Sequence, residues 1–156
     1  MQRQAAEYLQ KWISRKNRKP LVIQGARQVG KSWLVRDLAQ KVNLSLIELN
    51  FERHPDLKEL FEPGRSPQEI FELLKARQKP LVSKPAHECL LFLDEVQIAP
   101  RALQMLRYFF EEFGDLPVVA AGSLLDFALA ELDFSFPVGR IEPMFLGPMT
   151  FEEFLL

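Results

Sequence analysis

Short apolar runs alternating with helical stretches predict an α/β fold built on a mostly parallel sheet. Three observations carry this expectation. The run Cys89-Leu-Leu-Phe-Leu93 is apolar on both faces, as strands of a parallel sheet are, and Leu21-Val-Ile-Gln24 and Val118-Val-Ala-Ala121 are further short strand candidates. Stretches with helical periodicity separate them, which makes βαβ units with right-handed crossovers. The length of 156 residues, with 47% apolar and 26% charged side chains, suits one domain with a single core.

Residues 2–17 form an amphipathic pattern with Ala5, Leu9, Trp12 and Ile13 on one stripe, closed by the polar run 14–19 and Pro20. Leu21–Gln24 is a strand entering a glycine-rich loop, and Lys31 to Lys41 is helical. Leu44 to Phe51 is the second strand. Two helical stretches follow, over 56–62 and 67–78, the second opened by Ser66-Pro67 as N-cap and first helical residue. Lys79 to His87 reads as an exposed loop. After the Cys89–Leu93 strand, a helix spans Arg101 to Phe113, a fourth strand Val118 to Ala121 and a short helix Leu124 to Leu132. Ile141 to Leu146 is the fifth strand, and Pro143 within it, unable to donate to a ladder, puts it at a sheet edge or bulge. Thr150-Phe-Glu-Glu153 is a capping box that should open another helix. Phe151, Phe154, Leu155 and Leu156 would then need a partner from a further C-terminal domain. The expected organisation is an N-terminal helix and basic linker over 1–19, a core over 20–149, and the start of a C-terminal element over 150–156.

Composition excludes several function classes. No apolar run approaches membrane-spanning length, and the N-terminus lacks the apolar block of a secretory signal. A single cysteine, Cys89, excludes an internal disulfide and a cysteine zinc site, and points to a reducing, cytoplasmic setting. His54 and His87 lie far apart in sequence, without clustered ligands. Net charge is −1, yet residues 1–41 carry a balance of +8 and residues 42–156 one of −9. The basic end could attract phosphates or nucleic acid, with Trp12 as its single base-stacking candidate, or be a solvated helix end.

The strongest local signal is Gly25-Ala26-Arg27-Gln28-Val29-Gly30-Lys31-Ser32, which fits G-x-x-x-x-G-K-[ST] between a strand and a helix. Gly25 and Gly30 would admit backbone conformations closed to other residues, so that successive N–H groups converge on an anion. The helix that follows, with Trp33 in its first turn, adds unpaired N–H groups and a positive dipole end. Lys31 would reach the β- and γ-phosphates of a nucleotide, and the Ser32 hydroxyl would ligate Mg²⁺.

Asp94 and Glu95 end the apolar strand at the edge where ligands bind in open α/β sheets. Asp94 would help hold Mg²⁺, and Glu95 would orient or deprotonate the attacking water. Glu52, after Leu49-Asn-Phe, is a rival base, excluded if the second strand lies remote from the first. Ser123, after the fourth strand, could touch the attacking water or the γ-phosphate, or cap the next helix. Arg140 could place a guanidinium on the γ-phosphate, in cis or from a neighbouring chain, with Arg101 a weaker candidate.

With those residues assembled, the chain resembles the ATPase half of AAA-superfamily proteins of bacteria and archaea that pair a P-loop domain with an uncharacterised C-terminal domain. The resemblance runs from about Leu21 to the end, through GARQVGKS (25–32), LNFE (49–52), LLFLDE (90–95), AAGSLLDF (120–127) and VGRIEPMFLGPMTFEEFL (138–155). It implies a five-stranded sheet of order 5-1-4-3-2, ATP as nucleotide, and Asp94 and Glu95 as metal-holding and catalytic acids. That order sets Ser123 between the loop strand and the acidic strand, makes the fifth strand an edge, and moves Glu52 away from the γ-phosphate.

The expected activity is Mg²⁺-dependent ATP hydrolysis that drives or switches an attached C-terminal domain or a protein partner, with a homo-oligomer as one arrangement. The alternatives are a regulatory ATP-binding switch with little turnover and a nucleic-acid motor. A GTPase is disfavoured because no N-K-x-D-type guanine-reading motif occurs.

Overall fold

Helices cover both faces of one parallel sheet in a computed structural model that describes residues 4–123, 125, 139–148 and 150–155. The strands are β1 (Leu21–Gln24), β2 (Ser45–Asn50), β3 (Cys89–Asp94), β4 (Val118–Gly122) and β5 (Glu142–Phe145). They pair in the order β2-β3-β4-β1-β5, every pair parallel. This is the expected 5-1-4-3-2 order read from the opposite edge.

Helices α1 (Gln4–Ser14) and α2 (Lys31–Lys41) cover one face, and α3 (Pro67–Ala76) and α4 (Pro100–Glu112) the other. Successive strand residues therefore enter different cores. Leu90 and Phe92 pack with Leu9, Trp12, Leu34 and Leu38, while Leu91 and Leu93 pack with Ile70, Leu103 and Phe109. All six residues of β3 are buried, which explains its unbroken apolar run.

Register fixes the end of the sheet that matters. Asn50 lies opposite Asp94, Asp94 opposite Ala121, and Gln24 opposite Gly122. The carboxyl ends of β1 to β4 thus form one rim. At the edge, Glu142 N–H donates to the Pro20 carbonyl at 2.9 Å and Leu146 N–H to the Gln24 carbonyl at 2.8 Å. Pro143, out of that phase, turns its ring nitrogen to the open side, so the missing donor costs nothing.

Element ends moved where local bonding intervened. The N-terminal helix stops at Ser14 rather than 17, because Arg15 N–H bonds the Trp12 carbonyl in a tighter turn and Asn17 adopts φ 55°. The stretch near 56–62 is a 3₁₀ helix over Pro55–Phe61. Helix α3 begins as expected, with Ser66 Oγ accepting from Glu69 N–H at 3.1 Å. The 79–87 loop contains two short 3₁₀ turns, held by the Lys75 ammonium, which donates to the Lys84 carbonyl at 3.0 Å. A short helix α5 (Phe151–Leu155) follows Thr150, and Phe151 and Leu155 are exposed. The expected helix over 124–132 lies outside the described residues except for Leu125.

The N-terminal helix is integral to this packing. Leu9 and Trp12 are fully buried against α2, and the Trp12 indole N–H donates to the Lys19 carbonyl at 2.8 Å, fixing the approach to β1. Trp12 is therefore unavailable to stack on a base. Trp12→Ala should lower the unfolding free energy by about 3–5 kcal/mol, the usual cost of emptying a large buried aromatic site. Urea denaturation checks this, and a loss below about 1 kcal/mol would contradict the packing described.

Candidate functional site

The loop between β1 and α2 is shaped by clearance as much as by dihedral freedom. A Cβ on Gly25 would lie 2.4 Å from the Leu146 carbonyl oxygen, so glycine is needed because the chain leaving β5 passes against it. The sequence expectation of a special backbone conformation holds instead at Gly30, with φ 95° and ψ 21°, and at Gln28, with φ 64°. Gly30 also sits at the N-cap of α2 and supplies no side-chain acceptor. The helix's first N–H groups consequently face the loop's concavity, in position for an anion.

Lys31 folds back into that loop. Its ammonium donates to the Gly25 carbonyl at 2.9 Å and the Ala26 carbonyl at 2.6 Å, and the residue is only 6% exposed. Burial pushes its pKa below the ordinary lysine range, with Arg27 adding to the effect and Glu95 and Asp94 opposing it. No carboxylate pairs with it among the described residues. Trp33, in the first turn, is 43% exposed.

Ser32 and Asp94 meet across 62 positions of sequence, the hydroxyl donating to Asp94 Oδ2 at 2.7 Å. Asp94 Oδ1 accepts from Glu95 N–H at 2.9 Å. The residue is buried, and burial raises its carboxyl above the usual range; Glu95 and Glu48 add to this, and the two hydrogen bonds oppose it. A hydroxyl and an acidic oxygen this close, with no cation touching the carboxylate among the described residues, fit a hard divalent ion such as Mg²⁺. No group of three acidic, histidine or cysteine side chains is placed to hold a metal by itself among the described residues. Such an ion would complete its shell with water and phosphate oxygens, as Mg²⁺ does.

Glu95 has φ 55° and ψ 46°, a left-handed conformation uncommon for a non-glycine residue. Gln97, which sequence reasoning missed, donates its amide N–H to Glu95 Oε2 at 2.6 Å. The Gln97 Oε1 is buried without a hydrogen-bond partner among the described residues, and a Cβ on Gly122 would come within 2.4 Å of it. The only sequence signal was an amide between two apolar residues, Val96 and Ile98. Ser123 is buried directly after β4, the strand between β1 and β3.

Glu52 is closer to the loop than strand order suggests. Phe51 N–H bonds the Asp94 carbonyl at 3.1 Å, which bends the chain after β2 over the end of β3, and Glu52 approaches Arg27 at 3.5 Å. Glu52, Arg53, Asn50 and Glu95 line one cleft of about 600 Å³ with Lys31 and Ser32. Remoteness of the second strand therefore does not exclude Glu52.

Arg140 requires the opposite correction. It lies ahead of β5, beside the amino ends of the strands, with its Nε donating to Glu111 near the end of α4 at 3.1 Å. Parallel pairing puts this at the far end of the sheet from the loop, so Arg140 does not reach its own chain's site. Arg101 pairs loosely with Glu62 at 3.8 Å, away from the cleft.

The cost of burying Asp94 without a cation gives a pH dependence. Its folded pKa is raised, so ionisation opposes folding above that pKa, and the penalty vanishes below the unfolded value near 3.8. Without nucleotide or metal, Asp94→Asn should be more stable than wild type at neutral pH. The gap should close as pH falls through the raised pKa toward 4, which urea denaturation at several pH values would show. A gap that widens on acidification would contradict the assignment.

No curated protein matches the chain at a significant level. No described helix is long and apolar enough to cross a membrane. A protein-family model described as an AAA domain matches residues 17–155, which takes in the loop, the acidic strand and all five strands. With a sheet of the expected order and a phosphate-type loop meeting an acidic strand end, the chain belongs to the AAA domain family, whose members are nucleotide-binding, ATPase-like proteins.

Proposed function

We propose that this chain is a Mg²⁺-dependent ATP-hydrolysing module that drives or switches an attached C-terminal domain or a protein partner. The observation carrying it is the Ser32–Asp94 hydrogen bond, which joins the first turn of α2 to the end of the acidic strand at 2.7 Å. Ser32 and Asp94 would hold the metal, which supplies neutralising charge to the phosphate oxygens. Gly25 to Ser32 and the start of α2 would bind the β- and γ-phosphates through main-chain N–H groups. Lys31, now bonded to two carbonyls, would turn its ammonium toward the phosphates, exchanging weak acceptors for charged ones.

Glu95 is the proposed base. Its carboxylate accepts a proton from water as the water oxygen bonds to the γ-phosphorus and the bond to the ADP oxygen breaks. The hydrogen bond from Gln97 to Glu95 fixes one carboxylate oxygen and leaves the other for water. Ser123 is proposed to donate to the γ-phosphate or the water. Most of the rate gain would come from positioning and electrostatic stabilisation. Arg140, if it contributes, does so on a neighbouring chain.

Lys31→Ala should weaken binding of a labelled ATP analogue with Mg²⁺ about tenfold or more, some 1.4 kcal/mol. Glu95→Gln should keep that affinity and abolish phosphate release. Retained turnover in Glu95→Gln would remove Glu95 as base, and an unaltered affinity in Lys31→Ala would overturn the phosphate-loop assignment.

A further inference from the structure

The cationic side chains of the cleft are nearly all committed. Arg27 pairs with Glu52 at 3.5 Å, and Arg36 holds Glu48 through two bonds of 2.8 and 3.0 Å. Lys31 is turned onto main-chain carbonyls. Arg53 is the exception: among the described residues its guanidinium has neither an acidic partner nor a hydrogen bond, and it lines two adjoining clefts together with Ser32, Asp94 and Glu95.

The backbone carrying Arg53 is fixed, although the side chain is exposed. Asn50 Oδ1 accepts from both Glu52 N–H and Arg53 N–H at 3.0 Å, and His54 N–H donates to the Asn50 carbonyl at 2.9 Å. Phe51 N–H donates to the Asp94 carbonyl at 3.1 Å, which ties this turn to the end of the acidic strand. An Asx-type turn thus holds an uncompensated guanidinium over the same rim as Ser32, Asp94 and Glu95. A guanidinium fork matches phosphate oxygens in charge and geometry. Arg140, at the other end of the sheet, cannot do this within the chain.

We propose that Arg53 contacts the terminal phosphate of a bound nucleoside triphosphate in cis, so that the turn after β2 distinguishes triphosphate from diphosphate. This rests on the nucleotide site proposed above and adds to it a residue specific for the γ-phosphate. Glu52 beside it contacts Arg27 at 3.5 Å, which leaves the Arg53 guanidinium free of that carboxylate.

The test is the equilibrium affinity of a non-hydrolysable ATP analogue and of ADP, each with Mg²⁺, for wild type, Arg53→Ala, Arg53→Lys and Lys31→Ala. Arg53→Ala should weaken the analogue about tenfold, or 1.4 kcal/mol, and leave ADP within about twofold. Arg53→Lys, keeping charge without the fork, should fall between, and its conservative change secures the comparison should the alanine variant not fold. Lys31→Ala should weaken both ligands. Equal losses for analogue and ADP in Arg53→Ala, or no loss for either, would overturn the role of Arg53 while leaving the phosphate loop intact. Binding of neither ligand by wild type would instead overturn the nucleotide site itself, and the Arg53 contact with it.

Discussion

The hydrogen bond from Ser32 to Asp94 depends on the arrangement of the whole sheet. Ser32 stands in the first turn of α2, directly after the loop that leaves β1, and Asp94 ends β3. Those strands are not neighbours; β4 lies between them. The loop must therefore reach across the end of β4, and β4 must finish on small residues there. It does, with Ala121 and Gly122, where a Cβ on Gly122 would strike both Gln97 and Leu125. On the other side of β1, Gly25 lets the chain leaving β5 pass within contact of the loop. Strand order, two glycine clearances and one hydroxyl–carboxylate contact thus form a single constraint.

Several features of this rim oppose stability, and each has a chemical use. Lys31 and Asp94 are both buried with their charges only partly compensated, and burial shifts each pKa toward the neutral form. Glu95 takes a left-handed backbone, and Gln97 leaves a buried carbonyl oxygen without a partner among the described residues. Such costs persist where a ligand reverses them. An anion beside Lys31 and a cation beside Asp94 would offset both desolvation penalties at once. Binding should therefore stabilise the fold strongly, by mass action on the native state.

Much of this was legible in the residues. The both-faces-apolar run Cys89–Leu93 marked a buried strand of a parallel sheet, and Pro143 pointed to an edge or a bulge, of which β5 takes the edge. The spacing from Gly25 to Ser32 located the loop, and the acidic pair at the strand end located its counterpart. What could not be read depended on three-dimensional closure. Glu52 approaches the loop because Phe51 bonds across to Asp94, a contact no spacing encodes. Arg140 looked available because its distance along β5 from the rim is invisible without parallel register. Gln97 and Arg53 carried no motif, and their interest comes from one amide held on Glu95 and one guanidinium without an ion-pair partner among the described residues. Lys75 carried no sequence signal either; it is buried and holds the 79–87 loop by the Val82 and Lys84 carbonyls.

The central claim is that loop and acidic strand form one metal–nucleotide site. The most direct measurement is calorimetric titration of a non-hydrolysable ATP analogue with and without Mg²⁺, into wild type and Ser32→Ala. The account predicts that Mg²⁺ strengthens binding to wild type and that Ser32→Ala loses most of that gain while keeping its metal-free affinity. Full retention of the Mg²⁺ effect in Ser32→Ala would contradict it.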